Sequence, residues 1–219
     1  MPEPISVSKL RPIVAVVTGG TAGIGRACAN ALLAAGAAGV LLNGRNAERA
    51  DLARTELQST YPHAQIAVSL GDAAQPVVAE RIMADAIAAF GRIDLLVNST
   101  GGNDLPRLLH QTPLEAIPGI LERCLFAQLL CSRAALTHMR EAKRGAIINI
   151  ASDAAKLPTP GESLIGAAMA GIVMFTRGLA IEAKQGYSFD PCKIWRWRRK
   201  KPLVARLCGL TGFCNLTDF

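Results

Sequence analysis

The chain has 219 residues, half of them hydrophobic and only 5% aromatic, with a net charge of +7. That length suits a single domain with a sizeable core. No Arg/Lys-led apolar leader, no long uninterrupted apolar run and no C-x-x-C pair stands in the sequence, so the reading expects no secretory signal, no membrane span and no metal centre, and a cytoplasmic protein with isolated buried thiols. The charge is uneven, because seven Lys/Arg and two Asp after Gly186 leave residues 1–186 with only +2.

In chain order, the apolar run 13–18 predicts a first strand, and 24–36 predicts a helix. Between them lies Thr18-Gly19-Gly20-Thr21-Ala22-Gly23-Ile24-Gly25. A strand, a tight glycine turn and a helix start together make a dinucleotide pyrophosphate site. Glycines let the backbone approach the phosphates, while the helix N-terminus offers free N–H groups and a positive dipole end. Thr18, Gly19, Gly23, Ile24 and Gly25 are the candidate binding residues here, with Ile24 anchoring the helix in the core.

A second strand at 39–43 runs into Asn43-Gly44-Arg45 and a helix at 46–60. An acid at the end of this strand would hydrogen-bond a ribose 2′-hydroxyl, whereas an arginine pairs with a 2′-phosphate. No acid is present and Arg45 stands at the suitable place, which favours NADP(H) over NAD(H); a solvated helix-start arginine is the competing reading. The third strand, 65–70, leads to Asp72 and a helix at 76–90, and the fourth, 93–98, to Asn98-Ser99-Thr100-Gly101. A Pro- and Gly-rich stretch at 99–119 precedes a helix at 120–141, a fifth strand at 145–151, Ser152 and a helix at 163–185. Regular alternation of strand and helix predicts βαβ units, hence a Rossmann-type, doubly wound parallel sheet in a three-layer α/β/α domain.

These segments, in this order, resemble the short-chain dehydrogenase/reductase family over about residues 10–186. The resemblance implies an oxidoreductase that transfers hydride between a nicotinamide cofactor and a small carbonyl or secondary alcohol. It places Asp72 where a carboxylate accepts from the adenine amino group, although a turn or helix-cap role is equally open, and it places Asn98 and Gly101 beside the adenosine. It also implies a serine that polarises the carbonyl, a tyrosine 13 residues later that transfers the proton, a lysine four further on that lowers the phenol pKa, and an asparagine on the preceding helix.

Ser152 fills the first position. Ile165 stands at the tyrosine, Met169 at the lysine and Cys124 at the asparagine. A pair at i, i+4 shares one helix face, so Ile165 and Met169 turn a proton relay into an apolar wall. Asp153 and Glu162 are the nearest substitute acids. Two functions therefore stand open: an oxidoreductase of doubtful turnover, and a non-catalytic dinucleotide-binding or oligomer-partner protein of the same fold. In either case a homo-oligomer is expected through the helices near 120–141 and 163–185.

Residues 187–219 break the pattern. Both tryptophans, three of six cysteines and a run of Lys/Arg from Arg196 to Lys201 fall there. The reading assigns 1–186 to the dinucleotide-binding domain and 187–219 to an atypical basic tail outside the core. Between a diverged tail and a C-terminus replaced by a frame change, it favours the second. One short Trp/Arg run is too little to indicate a nucleic-acid surface.

Overall fold

The computed structural model describes residues 12–101, 105–184 and 192–196. Among the described residues, five strands and six α-helices follow one another, the five expected helices plus α4, which starts within the stretch expected as loop: β1 (Val14–Thr18), α1 (Gly23–Ala34), β2 (Gly39–Gly44), α2 (Ala47–Thr60), β3 (Gln65–Leu70), α3 (Pro76–Phe90), β4 (Leu95–Asn98), α4 (Ala116–Leu121), α5 (Ala127–Glu141), β5 (Ala146–Ala151) and α6 (Ser163–Lys184). A further strand, β6 (Cys192–Arg196), lies beside β5. The sheet order is β3-β2-β1-β4-β5-β6 and every pairing is parallel. The chain winds outward from β1 to β3, then returns to β4 on the other side of β1. That reversal opens a crevice at the strand C-terminal ends, where ligands of such sheets bind.

Strand residues alternate between two buried layers, as period-2 geometry requires. Ala15, Val17, Val40, Leu42, Leu95 and Val97 pack under α1 and α2, and Val16, Leu41, Leu96 and Ile147 under α3, α5 and part of α6. With both faces covered, the central strands read as unbroken apolar runs in the sequence. Burial pushes the Cys28 thiol on α1 up to about 11 and the Cys131 thiol on α5 up to about 12, because a thiolate would lose its hydration there.

Three features depart from the sequence reading. The predicted helix 120–141 is interrupted: α4 passes into a widened π turn, Glu122–Phe126, before α5 begins. Such a turn inserts one residue into the ladder, and here it contains the buried Cys124. Second, Ser163–Ala183 is, among the described residues, one helix long and apolar enough to cross a membrane, with a mean hydropathy of 1.8. Its apolar face instead buries Ala168, Met169, Ile172, Leu179 and Ala180 in the core. Third, Cys192–Arg196 continues the sheet beyond β5, a strand the periodicity did not indicate. The rest of the expected tail, 187–191 and 197–219, lies outside the described residues.

Candidate functional site

The loops that leave β1, β2, β3 and β4 enclose a groove of about 450 Å³. Its walls include Gly19, Thr21 and Ala22 from the first loop, Arg45 and Arg49 from the second, Asp72 from the third and Gly101 from the fourth. The glycine turn is dictated by its own backbone. Gly19 has φ +63° and Gly23 φ +52°, and a Cβ on Gly25 would run into the Gly19 carbonyl. Gly23 and Gly101, by contrast, face open space, with nothing within 4 Å of an added Cβ. The N-terminus of α1 has no side-chain cap and no acid in its first turn. Its orphan N–H groups and positive dipole end are thus left for an anion.

Asp72 serves the turn and faces the groove. One oxygen accepts from the Ala74 N–H at 3.0 Å, and the other lies 3.6 Å from the Arg45 guanidinium. Thr18 and Asn98 stand behind the groove and do not line it. Both are fully buried, and the Thr18 hydroxyl donates to Asn98 Oδ1 at 3.3 Å while accepting from the Ser99 N–H at 3.2 Å. Asn98 Nδ2 donates to Asn149 Oδ1 at 2.8 Å and Ser132 Oγ at 3.0 Å, and Asn149 donates to Thr176 at 2.9 Å. This buried network ties β1, β4, β5, α5 and α6 together and fixes the loop that carries Ser99 to Gly101. Ile24 is half-buried against the core layer under α1.

On the far side, Ser152 ends β5 and caps the short turn Asp153–Ala155, its Oγ accepting from the Ala154 N–H at 3.3 Å. The start of α6 is pressed onto that turn, since a Cβ on Gly166 would lie 2.9 Å from the Ala154 carbonyl. Cys124, Met169, Ala168, Ile172 and Ala151 form one buried apolar cluster, with Ile165, Leu121 and Leu125 packed against it. The sequence-predicted positions 124, 165 and 169 therefore meet in space beside the strand end that carries Ser152. Asp153 and Glu162 are half-buried nearby in sequence.

The family model for short chain dehydrogenases matches residues 13–186, most of the chain. The chain belongs to the short-chain dehydrogenase family. It is 33% identical over 186 residues to the 2,3-dihydroxy-2,3-dihydro-p-cumate dehydrogenase of Pseudomonas putida, covering 83% of this chain and 70% of that one. It is 35% identical over 169 residues to a 3-oxoacyl-[acyl-carrier-protein] reductase of Synechocystis sp., covering 77% and 67%. A short chain dehydrogenase structure from Mycobacterium smegmatis superposes with a TM-score of 0.76 at 26% identity, covering 80% of this chain and 72% of that one. The chain thus spans about two thirds of the length of these relatives.

Membership in the short-chain dehydrogenase family implies a nicotinamide dinucleotide and a small substrate. The groove fits that cofactor on three counts. Among the described residues, the α1 N-terminus has no side-chain cap, Gly23 and Gly101 leave room for close approach, and Thr100 Oγ1 in the wall is buried without a hydrogen-bond partner. Sequence reasoning did not single out Arg49, which lines the groove from the first turn of α2. It also missed Gln128, fully buried with its amide nitrogen donating to the Ile150 carbonyl at 3.1 Å and its oxygen unpartnered. Nothing in the helical pattern distinguishes such a glutamine from an apolar core residue.

Proposed function

We propose that this chain holds a nicotinamide dinucleotide in the groove above β1–β4, NADP(H) in preference to NAD(H), and turns over small carbonyls or secondary alcohols very slowly. The observation that carries the reading is the packing of Cys124, Ile165 and Met169 into one apolar cluster beside Ser152. When bound, the dinucleotide supplies or accepts hydride, so the protein must move the accompanying proton. Ser152 can donate a hydrogen bond to a carbonyl oxygen, but a neutral hydroxyl is a poor acid at pH 7. Absence of a positioned acid–base group lowers a rate by about 10²–10⁴. Asp153, in the turn that Ser152 caps, and Glu162, just ahead of α6, are the substitutes through which residual turnover would run.

A purely dinucleotide-binding role is the second reading, and the same cluster favours it. Titration of NADPH and NADH, followed by nicotinamide fluorescence, tests the cofactor claim. Tighter NADPH binding is expected; failure of a folded protein to bind either would end the proposal. Exposed Phe126 in the π turn and Met174 and Ile181 on α6 offer apolar surface for a second copy, so a homo-oligomer is part of the same proposal.

A further inference from the structure

Resting on the proposed function, we infer that the carbonyl or alcohol taken at Ser152 is an uncharged, apolar one, its hydrocarbon part seated on a leucine-lined mouth between the loops that follow β4 and β5. Among the described residues, eleven large hydrophobic side chains are exposed, and five of them fall in these two loops: Leu105, Leu108, Leu109 and Leu114 ahead of α4, and Leu157 after Ser152. Such a concentration marks a binding surface, where scattered single residues would not. The loops carrying them are internally bonded. The Gln111 N–H donates to the Leu108 carbonyl at 2.9 Å and the Thr112 N–H to the Leu109 carbonyl at 3.1 Å, which closes the short turn Leu109–Gln111. On the other side, the Leu157 N–H donates to the Asp153 carbonyl at 2.9 Å, so Leu157 hangs from the same turn that Ser152 caps.

One backbone bond clasps the two loops together, the Arg107 N–H donating to the Gly161 carbonyl at 2.9 Å. Glycine is required at this clasp, because Gly161 has φ +84° and an added Cβ would lie 3.0 Å from the Arg107 nitrogen. The clasp joins the exposed leucines into the two lips of one surface, at the strand ends that lead to Ser152. Behind it, Leu121, Leu125, Ile165 and Met169 continue the apolar lining. Charged side chains flanking the clasp are of both signs, Arg107 and Lys156 against Asp153 and Glu162, so no net field selects an ionic ligand. A polyol would lose its hydration against leucine and isoleucine without gaining partners, whereas a hydrocarbon gains by leaving water.

Binding of a 2-alkanone series, from 2-butanone to 2-nonanone, tests this without needing turnover. It is measured by saturation-transfer NMR with the oxidised dinucleotide present, which cannot reduce a ketone, and circular dichroism controls for folding. Parent affinity should rise about two- to fourfold with each added methylene, as partial to full burial of that group requires. Ser152→Ala should weaken every ketone by a common factor of about five and leave this slope unchanged. Leu108→Ser with Leu157→Ser should flatten the slope, whereas Leu52→Ser with Val77→Ser, at comparably exposed positions on α2 and α3, should not. A flat series in the parent, or the parent's slope retained in the Leu108, Leu157 variant, would overturn the inference and leave the dinucleotide reading intact. Affinities untouched by Ser152→Ala would place the ketones elsewhere and overturn it as well. A flat series from a parent dimer that dissociates in the Leu108, Leu157 variant would give this face to a second copy instead. A folded parent that binds neither NADP⁺ nor NAD⁺ would end the dinucleotide reading and, with it, the apolar ligand's status as a substrate.

Discussion

On the proposed reading, Ile165 and Met169 are where family ancestry and side-chain chemistry part. Each alone is a poor rescue site. Ile165→Tyr supplies a phenol whose pKa stays near 10 in apolar surroundings, and Met169→Lys buries an ammonium beside Cys124 and Ile172 with no phenol to tune. The double change should raise NADPH oxidation on small carbonyls by about 10-fold or more over either single, measured at saturating cofactor, because general acid catalysis of this kind is worth about 10²–10⁴. Equal rates in all four proteins would show that the proton relay is not what limits turnover. The buried thiols give a separate expectation. Their folded-state pKa values, about 11 for Cys28 and about 12 for Cys131, lie above the ordinary thiol value of 9.0. Above pH 9 the unfolded chain therefore binds fewer protons than the folded one. Stability supplied by the neutral thiols is present below pH 9 and lost as pH rises toward 11–12. Chemical denaturation at pH 8 and pH 10.5 should show a fall that is smaller in a Cys28→Ala, Cys131→Ala double variant.

The element that matters most is the β1–turn–α1 unit, and its glycines differ in what they require. Gly25→Ala should destabilise the fold by about 1–3 kcal/mol and weaken dinucleotide binding, because the new methyl overlaps the Gly19 carbonyl. Gly101→Ala meets nothing among the described residues and should leave stability unchanged while still weakening binding. Thermal melts and NADPH titrations on the two variants separate these effects. This unit was legible because hydrophobic period, glycine spacing and helix start agree over Val14–Ala34. The π turn was not, since Glu122–Phe126 carries an ordinary helical pattern and the inserted residue leaves no mark in composition. β6 was hidden for another reason. Cys192–Arg196 alternates weakly within a basic segment that carries both tryptophans, so its composition does not match the apolar runs of β1, β2 and β4. Asn98 was expected beside the cofactor, yet its contacts lie within the core network, which only the three-dimensional convergence of β1, β4, β5 and α5 reveals.

For the whole molecule, the order of elements carried the doubly wound fold and the position of the groove, because crossover handedness and strand order leave few alternatives. Assembly is less constrained by sequence. Phe126, Met174 and Ile181 are 46%, 65% and 65% exposed, and a second copy covering them should appear as a dimer or larger species in light scattering. Met174→Glu with Ile181→Glu should then shift the protein toward monomer, whereas an unchanged mass would place the interface elsewhere. The central claim is an intact cofactor groove joined to a disabled proton relay. Its most direct measurement is NADPH oxidation by the parent protein, at saturating NADPH, across a panel of small aldehydes and ketones. The account predicts saturable NADPH binding with turnover at least about 10²-fold below the roughly 10 s⁻¹ common among enzymes. Turnover near that common value, abolished by Ser152→Ala, would contradict it and make Asp153 or Glu162 the proton donor.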